Sequence, residues 1–122
     1  MGSSAAERLQ LVADLYRAVA PSLRADIAAA QDADVAHALR VNLQSLEMAF
    51  IRAGRMNLGA EGEKAEVAYA AARAAAGAAE RSFAASVAAS AKIAALDQAV
   101  GAIDHLLRVA NDDDGFGGPR FE

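Results

Sequence analysis

The chain has 122 residues, room for one ordinary domain, and a net charge of −4. It has no cysteine, which excludes disulfides, zinc–thiolate sites and thiol nucleophiles. Alanine fills 35 positions, so the 55% apolar content overstates the side-chain area available for burial and favours long, closely apposed helices.

The opening MGSSAAERLQ turns charged before any apolar run develops, so no secretory leader is expected. A first helix is predicted from Ser4 to Ala20, capped by Ser3 or Ser4, with Glu7 in its first turn where a negative charge suits the helix dipole. Leu9, Val12, Tyr16 and Val19 repeat at helical steps, and Leu11 and Leu15 widen that face. Pro21 is expected to interrupt, because it lacks a donor and its ring crowds the preceding turn.

The pattern from Ser22 to Ala53 is again helical, with a nick at Gln31-Asp32-Ala33-Asp34, where either Asp can cap the next helical stretch. Arg52 suits a last turn, Gly54 is a natural stop, and Arg55 to Gly62 reads as the main loop. From Glu61 to Ala110 no proline intervenes. Ile93, Leu96, Val100, Ile103, Leu107 and Ala110 form a heptad-like stripe. Gly77 is the one internal weak point, so either a single helix of about 75 Å or two joined near Gly77 fits the pattern. Residues 111–122 read as a flexible acidic tail carrying Phe116, Arg120 and Phe121, the composition of a short docking peptide or of an untidy terminus. The expected architecture is therefore all-α: an antiparallel bundle of three or four helices over residues 1–110, with a long alanine-rich C-terminal helix.

Val35 to Ile51 is the most informative stretch. Stepping about 100° per residue from His37 puts Val35, Leu39, Leu43, Leu46 and Phe50 between about 160° and 240°, a core stripe. His37, Val41, Gln44, Met48 and Ile51 gather within about 40° of His37 on the opposite side. A helix with apolar residues on two faces packs on two sides. The second face either meets another helix of the same bundle or forms an interface with a partner or a second copy, through Val41, Gln44, Met48 and Ile51.

His37-Ala38-Leu39-Arg40-Val41-Asn42-Leu43-Gln44-Ser45-Leu46 resembles the phosphoacceptor helix of histidine kinases, their dimerisation and phosphotransfer segment. One subfamily writes that box H-R-V-K-N-N-L-Q and the commoner one H-E-L-R-T-P-L. His37, Arg40, Asn42, Leu43 and Gln44 match one or both, while Ala38 and Val41 depart from them. Ala36 to Arg40 also fits the H-x-L-K part of the monodomain phosphotransfer motif, with Val41 in the place of its Gly. The resemblance implies that His37 accepts a phosphoryl group, that Arg40 contacts it, and that the bundle is dimeric. No nucleotide-binding domain comes after it, so autokinase activity is not expected.

Other constellations carry less chemistry. His105 lies near a helix end without a metal or phosphotransfer signature. Glu61, Glu63 and Glu66 have no histidine one turn away and read as a solvated helix start. Ser82, Ser86 and Ser90 read as a small-residue row that admits a close helix, since no base or elbow turn accompanies them. No cofactor and no metal are expected. Residues 61–122 carry six basic against ten acidic side chains, which argues against nucleic acid. No apolar run reaches the ~18 residues of a membrane span. Ten of the twelve basic residues are Arg, which with so much Ala suggests a GC-rich bacterial genome, and the absence of cysteine is compatible with the expected cytoplasmic setting. The expected function is that of a small non-enzymatic interaction protein (adaptor, regulator or chaperone-like), working through helix packing and not through a self-contained active site. Its partner would be a protein or a second copy. The alternatives are phosphotransfer through His37 and a structural coiled coil.

Overall fold

The computed structural model describes residues 2–85 and 87–111, and these form four helices and no strand. They are α1 (Ala5–Ala29), α2 (Ala33–Arg55), α3 (Glu63–Ala84) and α4 (Ala89–Ala110). Residues 112–122, which include Phe116, Arg120 and Phe121 of the expected tail, lie outside the described residues.

Two antiparallel hairpins, α1–α2 and α3–α4, lie side by side. The helix α1 packs against α2 and α3, while α4 packs against α3 and α2. The N-terminal ends of α1 and α3 therefore share one end of the bundle, here called the base. Residues 56–62 cross that base diagonally to reach α3. The stripe predicted in α4 turns inward: Leu96, Val100, Ile103, Leu107 and Ala110 are buried, and Ile93 packs against them.

Local chemistry sets the helix starts. Ser4 and Glu7 form a reciprocal capping box, in which the Glu7 N–H donates to Ser4 Oγ at 3.0 Å and the Ser4 N–H donates to Glu7 Oε1 at 2.7 Å. Asp32 caps α2 by accepting from the Asp34 N–H at 2.8 Å. Gly62 precedes α3 with φ of 120°, a conformation that side chains rarely adopt.

Three expectations need correction. First, Pro21 does not interrupt α1, which continues to Ala29. Its ring faces solvent, and the cost of about 3 kcal/mol for an interior proline is offset by the anchors beyond it. Leu23 is fully buried there, Ile27 packs on the core, and Asp26 accepts from Lys92 Nζ of α4 at 2.9 Å. Second, residues 61–110 form two helices, but α3 passes straight through Gly77 and ends at Ala84. The Ser82–Ser86–Ser90 row thus straddles the reversal and is not one helix face; Ser86 itself lies outside the described residues. Third, Leu9 is exposed, while its neighbour Arg8 is buried.

Arg8 is 1% exposed and organises the base. Its guanidinium donates to the Leu58 and Ala60 carbonyls at 2.6 and 2.7 Å, to Ser3 Oγ at 2.9 Å and to Glu66 Oε2 at 2.8 Å. The Ser3 N–H and hydroxyl also donate to the Glu66 carboxylate. Glu66 is therefore not merely a solvated helix-start acid. Its carboxyl is held below the ordinary value of 4.5, first by the Ser3 backbone N–H, which outweighs the opposing effect of burial, and then by the Ser3 hydroxyl and Arg8.

A carboxyl whose pKa is depressed on folding stabilises the fold above its unfolded pKa. That contribution disappears as pH falls through the folded value. Urea titrations should therefore show wild-type stability falling as pH drops below the ordinary value of 4.5. The Glu66→Gln variant should be less stable than wild type at pH ~7 and should show a flatter profile in the acid window. Parallel profiles for the two proteins would contradict this account of the base.

Candidate functional site

The helix α2 has α1 on one side and α4 on the other, and its buried residues face between them. Ala36, Leu39, Asn42, Leu46, Ala49 and Ala53 are buried. Val35, Leu43 and Phe50 from the predicted stripe are half-buried, so the core face is turned by about 20° from the expected one. Phe50 stacks on Tyr16 of α1 with ring centroids 4.9 Å apart. On the other flank, Asn42 and Arg52 reach Asp97 and Asp104 of α4.

Among the described residues no helix covers the opposite face. Val41, Met48 and Ile51 are 44%, 56% and 46% exposed, and His37, Arg40 and Gln44 are exposed beside them. Large apolar side chains in isolation are normal on a surface. Here three share one stripe of one helix, and they account for half of the six exposed large hydrophobics among the described residues. Towards α4 the stripe opens into a shallow groove lined by Gln44, Ser45, Met48, Arg52, Val100 and Asp104.

His37 sits in the second turn of α2, and Arg40 comes one turn later. Both are exposed, and neither forms an ion pair or a side-chain hydrogen bond among the described residues. The other matching positions separate from them. Asn42 is 2% exposed, donates from Nδ2 to Asp97 Oδ1 at 2.7 Å, and leaves its own Oδ1 without a partner. Asn42 therefore belongs to the α2–α4 contact, while Gln44 stays with His37 and Arg40 in the open.

One surface feature escaped the sequence reading. His105, Val109, Glu63, Lys64 and Val67 line a groove between α3 and α4, with Val67 61% exposed. The signal was faint, since Val67 stands alone among alanines. Among the described residues no group of three His, Cys, Asp or Glu side chains could hold a metal ion, and no helix is long and apolar enough to cross a membrane. No protein-family model matches this chain, and no curated protein or solved structure shows significant similarity to it.

The half-satisfied Asn42 gives a measurable consequence. An orphaned buried acceptor offsets much of what one hydrogen bond contributes, and Asp97 is exposed enough to be solvated by water once released. Asn42→Leu should therefore leave stability unchanged or raise it by up to about 1 kcal/mol, read from thermal melting. A loss of several kcal/mol would show that the amide is indispensable to the α2–α4 contact.

Proposed function

We propose that this protein is a small non-enzymatic interaction protein that acts through the outer face of α2. One observation carries the reading: the bundle closes its core without Val41, Met48 and Ile51, which remain exposed together on one face. Keeping large apolar groups in water is unfavourable, and a contiguous set of them on a rigid helix is a ready contact surface. The helix is held from behind by Leu39, Leu46 and the Phe50–Tyr16 stack, so docking requires little ordering of the backbone. The absence of cysteine and the arginine- and alanine-rich composition fit a bacterial cytoplasmic setting.

A photocrosslinking residue placed at position 48 should form protein adducts in cells, whereas the same residue at exposed Ala18 of α1 should not. Met48→Glu, which adds a charge without touching the core, should change unfolding free energy by less than about 0.5 kcal/mol. Combined with a probe at Ile51, it should also remove the adducts formed there. Equal labelling at 48 and 18, or none at either, would refute the reading.

A second reading rests on the open placement of His37 and Arg40. A free imidazole can attack phosphorus, and a guanidinium one turn away can pair with the transferred phosphoryl group. Incubation with a phosphorylated receiver domain or a phosphoramidate donor should then give an acid-labile phosphate that His37→Ala abolishes. An unlabelled wild-type protein with its cognate donor would eliminate this alternative.

A further inference from the structure

We propose that the groove between α3 and α4 is the docking site of this chain's own residues 112–122, with Phe116 as the anchoring side chain. The inference makes no use of the outer face of α2 and stands apart from the function proposed for it.

The groove lies where the described residues end. His105 and Val109, one turn apart on α4, form one wall, and Glu63, Lys64 and Val67 at the start of α3 form the other. The Ala60 N–H donates to the Ala110 carbonyl at 3.0 Å, which holds the end of α4 against the residues leading into α3. The segment 112–122 therefore begins three residues past Val109, at the mouth of the groove. The five residues from Asn111 to Phe116 span at most about 17 Å, and helix turns are about 5.4 Å apart. Phe116 thus reaches either turn of the groove with chain to spare. The return needs one reversal of direction, and Gly115, which lacks a Cβ, stands where it must occur. So short a connection presents the segment at an effective concentration in the millimolar range, so a modest contact suffices.

The chemistry of the two partners matches. Val67 is 61% exposed and Val109 is half-buried, and the groove they line has an open volume of about 380 Å³. An aromatic ring is the side chain that covers such a floor with the least loss of conformational freedom. On the rim, Glu63, Lys64 and His105 are exposed, and none of them forms an ion pair or side-chain hydrogen bond among the described residues. The segment brings three consecutive carboxylates, Asp112 to Asp114, for Lys64, and the Arg120 guanidinium for Glu63.

The other grooves within reach fit less well. The one beside Gly2 and Ser3 is lined by Glu61, Glu63 and Glu66, which repel three aspartates. In the one between α2 and α4, Arg52 and Asp104 are already paired with each other. The one beside Leu9 and Met56 has no charged side chain in its lining. Of these, an apolar floor and an unpaired cation coincide only between α3 and α4.

The chain has no tryptophan, which allows a direct test on the full-length protein. Phe116→Trp keeps an aromatic anchor and makes its fluorescence the sole indole signal. Acrylamide should quench that indole at least about threefold more slowly than it quenches the same variant carrying Val67→Asp, as expected if the docked form holds two thirds or more of the population. Val67 is exposed, so circular dichroism should show the same helix content in both. A second control, Met48→Asp on α2, should leave the protection intact, and the protection should not change on dilution. Rapid quenching in every variant would overturn the proposal. Protection that survives Val67→Asp, or is lost with Met48→Asp, would place the segment elsewhere and overturn it equally. Protection that disappears on dilution would assign the groove to the segment of a second copy and overturn docking within one chain.

Discussion

The buried guanidinium of Arg8 is the constraint on which the base of the bundle depends. Residues 56–62 cross the end of the bundle without secondary structure of their own, and their carbonyls need donors. Arg8 supplies them from α1 to Leu58 and Ala60, and it reaches Glu66 on α3 with its remaining fork. One side chain thereby fixes the path of the chain between the two hairpins. The Ala60 N–H closes the same end by donating to the Ala110 carbonyl at the last turn of α4. Desolvating a guanidinium is costly, and removing one partner from such a network costs more than the whole is worth in stability. What it contributes is choice: with Arg8 in place, the crossing loop has few other routes.

The parts of this fold that were legible in the sequence come from local rules. The Ser4–Glu7 box, the Asp32 cap and the loop ending at Gly62 are short-range devices, readable from a few neighbouring residues. The two faces of α2 were legible because periodicity is a property of one helix alone. The illegible parts depend on distant residues. Nothing in Ala85 to Ala88 marks a reversal: Ala88 precedes α4 without a side-chain cap, and alanine would readily continue the helix. The reversal arises because the stripe containing Leu96, Ile103 and Leu107 needs something to cover it. Pro21 misled for the same reason, since the anchors that carry α1 past it lie on its far side. Arg8 could not be assigned to the interior, because all of its acceptors but Ser3 come from residues fifty or more positions away. The candidate site was legible as a stripe, but its matching motif was not separable: whether Asn42 faced the core or water was decided by α4.

Division of labour among the helices explains why α2 carries a surplus. The helices α1, α2 and α4 supply the bulky core side chains, and α3 supplies Ala65, Ala68, Ala72, Ala76 and Ala79 before ending on Phe83. Small residues let α3 and α4 approach closely, and their contact is the most extensive in the bundle. That slim corner completes the core with little volume, so the second apolar stripe of α2 has no place inside.

A buried row of methyl groups also has a mechanical character. Knobs that interlock resist sliding along the helix axis, whereas a smooth row of alanines offers little to catch. The axial position of α3 must therefore be set at its two ends. At the base, Glu66 is clamped by Arg8 and Ser3; at the other end, Phe83 is buried beneath Lys92, whose ammonium lies 5.6 Å from its ring centroid. The helix is a smooth rod held by two pins, and its phasing against α4 is written in those terminal side chains, not in the alanine row between them.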